Sequence, residues 1–432
     1  MEASARVAAA ASADFPLRHR IVFVTRSLGM GGTEKHLADL IERLDPSRFE
    51  LMVVAMGQQP FAARQDGKLP AARVLPGPGT GRLSTSLPFL RSLKPAVVVF
   101  IDNEFGAFHW QMYLAARFSG ARRVVTIEHQ PARAPQETNL VRVLRGRTDK
   151  VRAVGGWLAA LLRRAVTARA PGLISDETIC VCDAVRDRLV EDYRYPAGKT
   201  ITVRNGVDVK RFSRDAGDWG MPAILSARKP RGPIAVFVSR LVLEKRVDLL
   251  IRAMKRLVAA HPSSSCVIVG GGPMEAELRS MVDAMSLQDH VLFAGDTSDV
   301  RPYLAAGDIF VLPSEREGLS LSLLEAMAFG LPCIAADAGG SREAIEEGVN
   351  GFVIPCDSEE ALVTALSRLF ASPAERTQMG KSSRRIAEEK FDLERSMKPP
   401  GETRPRATRA FEARAGSSWR FSTTTMNGFR KS

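Results

Sequence analysis

The chain has 432 residues, of which 25% are charged, 45% hydrophobic and 6% aromatic. These proportions exclude wholesale disorder and supply material for two or three separate cores. No run approaches the ~18 apolar residues of a membrane-spanning helix. The net charge of +13 is uneven. Residues 1–220 carry a net +11, residues 221–397 a net −4 and residues 398–432 a net +6, a step that implies two domains with different partners. The five cysteines (Cys180, Cys182, Cys266, Cys333 and Cys356) are odd in number and contain no CxxC pair. They argue against a disulfide framework or zinc cage and for a reducing, cytoplasmic setting.

In chain order, residues 1–19 read as a disordered leader, alanine-rich and broken by Asp14. IVFVT at 21–25 reads as a buried parallel strand, followed by a glycine-rich turn and a helix through Leu37, Leu40, Ile41 and Leu44. LMVVAM at 51–56, AVVVFI at 96–101, VVTIE at 124–128 and TICVC at 178–182 are further strands, most of them separated by helical stretches. Residues 213–233 are rich in Gly, Pro and charge and read as a linker. The pattern then restarts. AVFVSR at 235–240 is a strand, and the next helix presents Val247, Leu250, Ile251, Met254, Leu257 and Val258 on one face. CVIVG at 266–270, VLFAG at 291–295, IFVLPS at 309–314 and PCIAAD at 332–337 continue the series. The sequence therefore predicts an α/β protein with two Rossmann-like doubly wound parallel-sheet domains, at 20–212 and 234–397, facing across a cleft. Residues 398–432 read as a basic, disordered tail.

Three segments carry candidate chemistry. The turn Gly29-Met30-Gly31-Gly32-Thr33-Glu34 lies between a strand and a helix, where close backbone approach and free amides suit an anion. It lacks the GxGxxG spacing, and tight packing explains it equally well. Arg240 and Lys245 flank the end of a buried strand and are well placed for a pyrophosphate; a solvated basic loop is the alternative. Glu317 and Glu325 lie eight residues apart in PSEREGLSLSLLEAMAFGLP, where carboxylates can grip sugar or ribose hydroxyls. A surface acid is the alternative for Glu317, and a capping box Ser322-Leu-Leu-Glu325 is the alternative for Glu325.

These residues resemble a known family. GGTE at 31–34, NGVD at 205–208 with Phe212, SRLVLEK at 239–245, GGGP at 270–273, E-x7-E at 317–325, and GG at 339–340 with Glu343 occur in the order seen in GT-B-fold glycosyltransferases of family 4. These are retaining, nucleotide-sugar-dependent enzymes, and the resemblance covers roughly residues 20–397. It implies that Arg240 and Lys245 bind the donor diphosphate and stabilise it as it leaves. Glu317 would hydrogen-bond the transferred sugar and Glu325 the nucleotide ribose. Amides around Gly318, Leu319, Ser320 and Leu321 would touch sugar or phosphate, and the Gly31–Gly32 loop would cover the phosphates. His129 matches a family histidine lining the sugar site; a core or capping histidine is the other reading. Ser320 stands where glycine is common, and Cys182 where serine is common. Family members end in a helix that crosses back onto the first domain, and Pro399–Pro400 interrupts it here.

The resemblance implies transfer of a sugar from a nucleoside-diphosphate sugar to a hydroxyl acceptor, a glycan or lipid-linked intermediate of envelope polysaccharide synthesis. The cofactor expectation is none, since the two cations can serve without a metal and the matched regions contain no DxD pair. The acceptor side is less defined. Residues 140–170 carry eight Arg or Lys against one acid, with Val154, Trp157, Leu158, Leu161, Leu162 and Val166 at helical spacing. Such a segment can lie on an anionic membrane, or pack on the sheet with a solvated basic face. A nucleotide-sugar epimerase or sugar phosphorylase on the same architecture is an alternative. A nucleic-acid-binding protein is disfavoured, because no recognised module accompanies the charge. Lys245→Ala is expected to abolish donor turnover with little loss of fold.

Overall fold

A computed structural model of the protein describes residues 19–26, 31–57, 72–79, 81–102, 110–130, 169–226 and 232–394. Two parallel sheets organise them. The first holds β1 (His19–Thr25), β2 (Phe49–Ala55), β3 (Ala72–Pro76), β4 (Val97–Asp102), β5 (Arg123–Glu128), β6 (Glu177–Cys180) and β7 (Thr200–Thr202), in the order β3-β2-β1-β4-β5-β6-β7. The second holds β8 (Ile234–Val238), β9 (Ser265–Val269), β10 (Val291–Gly295), β11 (Ile309–Leu312), β12 (Cys333–Ala336) and β13 (Gly351–Ile354), in the order β10-β9-β8-β11-β12-β13. Each order reverses direction once, between β1 and β4 and between β8 and β11. A sheet of this kind binds ligands beyond the carboxyl ends of its strands at such a reversal.

Around the first sheet lie α1 (Gly32–Arg43), α2 (Leu83–Leu93), α3 (Trp110–Phe118) and α4 (Asp183–Glu191). After the short α5 (Ala223–Ser226), the second carries α6 (Val247–Leu257), α7 (Glu275–Ala284), α8 (Arg301–Ala306), α9 (Leu321–Ala328), α10 (Ser341–Ala344), α11 (Glu359–Ala371) and α12 (Pro373–Lys390). The described residues fall into two compact units. One contains 19–102, 110–126 and 169–177, and the other 127–130 and 178–394.

Most strands legible in the sequence have side chains buried on both faces; β10, read from VLFAG, is an exception, with only Val291 buried. Val22, Val24, Val54, Val98 and Phe100 are fully enclosed, and the Phe100 ring packs 4.1 Å from that of Tyr113 on α3. Val236, Phe237, Val267, Ile268 and Phe310 do the same in the second sheet. Continuous apolar runs are the mark of parallel strands covered by helices on both sides. Helix α6 buries Val247, Leu250, Ile251, Met254 and Leu257 as its periodicity predicts, while Val258 is its C-cap. Strands β3, β7 and β13 had no such signal. The edge strand β3 is half exposed and ends at Pro76, and β7 is only three residues long. Strand β13 opens on Gly351, where a Cβ would overlap the Cys333 carbonyl oxygen.

Cys180, Cys182, Cys266 and Cys333 are buried, and Cys356 is exposed. Burial pushes the Cys266 thiol up to about 12. Among the described residues no helix is long and apolar enough to cross a membrane. The leader apart from His19, which begins β1, the tail and nearly all of the basic segment at 140–170 lie outside the described residues.

Candidate active site

The loops after β8 and β11 emerge side by side, because these strands pair with Ile309 opposite Ala235 and Phe310 opposite Val236. Three ties lock the loops together. The Glu315 amide donates to the Glu244 carbonyl at 2.9 Å, Arg316 pairs with the Glu244 carboxylate at 3.4 Å, and Lys245 Nζ donates to Glu317 Oε1 at 2.8 Å. The last is a buried ion pair, its side chains 6% and 9% exposed. An ammonium has three N–H donors, so the bond to Glu317 leaves two for a ligand.

Arg240 stands two residues beyond β8 and is exposed. Its backbone is set by the glycines after β9. Leu241 donates to the Gly271 carbonyl at 2.8 Å, and Met274 donates to the Leu241 carbonyl at 3.0 Å. Gly270 has φ +126 and Gly272 φ +157, and a Cβ on Gly270 would overlap the Ser239 carbonyl oxygen. GGGP is therefore a device that lets one strand-end turn seat against the next. Arg246 follows Lys245 in the left-handed region, at φ 50. Its hydrogen bonds to Asp248, at 3.2 Å, hold its guanidinium firmly charged.

Glu317 and Gly318 are enclosed on two further sides. The loop after β12 turns at Gly339, φ +53, where a Cβ would overlap the Glu317 carbonyl oxygen, and the Gly340 amide donates to the Gly318 carbonyl at 2.7 Å. A Cβ on Gly318 would overlap the carbonyl oxygen of His129, which follows β5 and is itself buried. The structure thus brings Lys245, Glu317, Gly318 and the His129 backbone together. Glu325 is buried on α9, and its charge adds to that of Asp299 in holding Arg301 protonated.

The capping box for Glu325 is replaced by a different cap. The N-cap of α9 is Ser320, whose hydroxyl accepts from the Leu323 amide at 3.4 Å; Ser322 lies inside the first turn. Ser320, standing where the family commonly has glycine, thus serves as the cap, and Leu321 begins the helix. The effect expected of Lys245→Ala is also revised. Removing this buried ammonium strands the Glu317 carboxylate, so the fold suffers along with turnover.

Gly31 and Gly32 belong to the other unit and start α1, with Gly31 as its N-cap. The buried Glu34 carboxylate lies so close that a Cβ on Gly31 would overlap it. A Cβ there would displace the end of this flexible acidic side chain, which lies folded back near the helix start.

Residues not singled out as functional complete the surroundings. Asn205 Nδ2 donates to the Leu319 carbonyl at 2.8 Å. Glu343 accepts from the Ala184 amide at 3.1 Å and from Arg204 Nε at 2.7 Å, and Arg204 also pairs with Asp183. Both residues stand in the NGVD and GG…E patterns quoted from the sequence. No local signal identifies their partners, which are 114 to 159 residues away. Arg384 donates to the Val209, Phe212 and Ala328 carbonyls at 2.8, 3.0 and 2.6 Å, which fixes the C-terminal end of α9. After α12 the chain pairs with the NGVD loop through Phe391–Leu393, before Pro399 is reached. Among the described residues no group of three or more His, Cys, Asp or Glu is arranged to hold a metal ion.

Two Rossmann-like sheets, with paired cationic and acidic residues at the carboxyl edge of the second, are the architecture of the GT-B class. The chain belongs to the family 4 glycosyltransferases. The pattern described as Glycosyltransferase Family 4 matches residues 30–211, and that described as Glycosyl transferases group 1 matches residues 226–386. A GDP-mannose-dependent alpha-(1-6)-phosphatidylinositol monomannoside mannosyltransferase of Mycobacterium tuberculosis is 29% identical over 383 residues, covering 84% of this chain and 92% of that protein. The enzyme of the same name from Mycolicibacterium smegmatis is 35% identical over 193 residues, covering 42% of this chain and 50% of that protein. Among solved structures, Anabaena Alr3699/HepE in complex with UDP and glucose superimposes with a TM-score of 0.69 at 18% identity, over 93% of this chain and 100% of that one.

Proposed function

We propose that the protein is a retaining glycosyltransferase that moves a hexosyl group from a nucleoside-diphosphate sugar to a hydroxyl of a glycan or lipid-linked acceptor. The observation that carries this reading is the buried Lys245–Glu317 pair beside the exposed Arg240, at the reversal point of the second sheet. In the reaction the bond between the anomeric carbon and the diphosphate oxygen breaks, and the electron pair leaves with the diphosphate. The acceptor oxygen bonds to the same face of the sugar, and its proton passes to a departing phosphate oxygen. Arg240 and two of the Lys245 N–H groups neutralise the developing charge, a role that requires no divalent metal. Removing one such donor costs ~3–4 kcal/mol of transition-state stabilisation. Glu317 keeps its charge satisfied by Lys245 and serves as a hydrogen-bond acceptor for sugar hydroxyls rather than as a nucleophile. Glu325 takes the ribose, the Gly318–Leu321 backbone takes phosphate or sugar, and His129 borders the sugar.

The GDP-mannose and phosphatidylinositol mannoside in the names of the mycobacterial relatives support a lipid-linked acceptor. The basic, apolar segment at 140–170 suits attachment to an anionic membrane at the cytoplasmic face. Co-sedimentation with phosphatidylglycerol vesicles tests that attachment, and failure to bind at low salt would remove it. The function itself is tested by screening UDP-, GDP- and ADP-sugars for thermal stabilisation and slow hydrolysis. At least one donor should both stabilise the protein and be consumed with release of its nucleoside diphosphate. Stabilisation and turnover by none of them would refute the assignment.

A further inference from the structure

We infer that Asn205 is a positioning residue for the sugar–phosphate loop, acting through the Leu319–Ser320 peptide; the inference rests on the donor reading of that loop given above. Asn205 follows β7 and is 4% exposed. Its backbone amide donates to the Val181 carbonyl at 3.3 Å, and its side-chain Nδ2 donates to the Leu319 carbonyl at 2.8 Å. A trans peptide directs its C=O and the following N–H in opposite senses. Holding the Leu319 oxygen toward Asn205 therefore turns the N–H of Ser320, the N-cap of α9, away from Asn205.

The side chain is not an incidental space-filler. Its Oδ1 is buried and accepts no hydrogen bond among the described residues. A purely packing role would favour a side chain without that unsatisfied oxygen, so the Nδ2 donor is what the position requires. The position is also rigidly supported. Gly206 lies under the C-terminal segment, where a Cβ would meet the Leu393 side chain at 2.7 Å and the Phe391 carbonyl oxygen at 3.0 Å. Val207 donates to Phe391 at 2.8 Å and accepts from Leu393 at 3.1 Å. The segment that ends the described chain thus clamps the loop bearing Asn205, which in turn orients the donor loop.

The test is Asn205→Asp, which preserves shape but at neutral pH replaces the donor with a second acceptor. Hydrolysis of whichever of UDP-glucose, GDP-mannose or ADP-glucose the wild type consumes is followed from pH 5.5 to 8. The variant should show a kcat deficit of ~10–100-fold at pH 8, with KM little changed. Relative to wild type, that deficit should shrink by about tenfold toward pH 5.5, because a buried carboxyl is readily protonated and its O–H can donate to Leu319. A deficit flat in pH would overturn the inference, since lost packing has no reason to recover on protonation. Should Asn205→Asp not fold, Asn205→Ser decides. Its hydroxyl is too short to reach Leu319, so kcat should fall at least about tenfold, and kcat within about twofold of wild type would overturn the inference. Arg240→Ala in the same assay separates the two levels. If that variant keeps full turnover, the donor reading has failed. If it loses turnover while the Asn205 variants do not, only the role of Asn205 has failed.

Discussion

Lys245→Ala should lower donor turnover by ~10²–10³-fold and destabilise the second unit by ~3–5 kcal/mol. The two effects have separate causes. Turnover falls because the diphosphate loses a fixed cation where charge develops. Stability falls because Glu317 is left as an unpaired carboxylate in a site where the pair's side chains are 6% and 9% exposed. The double variant Lys245→Met/Glu317→Leu separates them. Replacing a buried ion pair by apolar groups of similar volume is often neutral or stabilising. Its melting temperature should therefore return to near the wild-type value while turnover remains low. If the single variant melts like wild type, the pair is more hydrated than its geometry implies. If the double variant regains turnover, the cation is not part of the chemistry.

Gly318→Ala should cost at least ~10²-fold in turnover, with a stability loss of ~1–3 kcal/mol. A Cβ on Gly318 would overlap the His129 carbonyl oxygen and stand 3.0 Å from Val181 Cγ2. A carbonyl at the end of a buried strand cannot move aside as a flexible side chain can, so the loop carrying Glu317 must shift instead. Gly340→Ala is the milder comparison. There a Cβ would meet Cys182 Cβ at 3.0 Å and Leu319 Cδ1 at 3.1 Å, contacts that shifts of a few tenths of an ångström relieve. Steady-state kinetics and melting curves on both variants check the order. Equal effects would show that crowding against His129 is not what demands glycine at 318.

The sequence made the frame legible where burial on two faces left β-branched runs, as in IVFVT and AVFVS; it was silent at the three-residue β7 and the exposed edge strand β3, although VLFAG marked the edge strand β10. The site followed the same division. Spacing placed Arg240, Lys245, Glu317 and Glu325 at strand ends and on α9, because residues just past parallel strands gather on one edge. Their environments were not legible. Nothing local distinguishes the exposed Arg240 from the buried Lys245 five residues on; the difference arises when the loop after β11 folds over the second and not the first. The helix start was ambiguous for a related reason. Ser320 and Ser322 are both good caps, and only the extended backbone of Ser320, φ −65 and ψ 124, selects it. Asn205 and Glu343 could be quoted as parts of motifs but not given partners, since the peptides they hold are far away in the chain.

The role of the cationic edge in expelling the diphosphate is tested most directly at Arg240. This side chain is exposed and forms no ion pair among the described residues, so its removal perturbs the chemistry without perturbing the fold. Hydrolysis of the accepted nucleotide sugar by Arg240→Ala should fall ~10²–10³-fold, with the melting temperature within about 2 °C of wild type. Turnover equal to wild type in the intact variant would contradict the account.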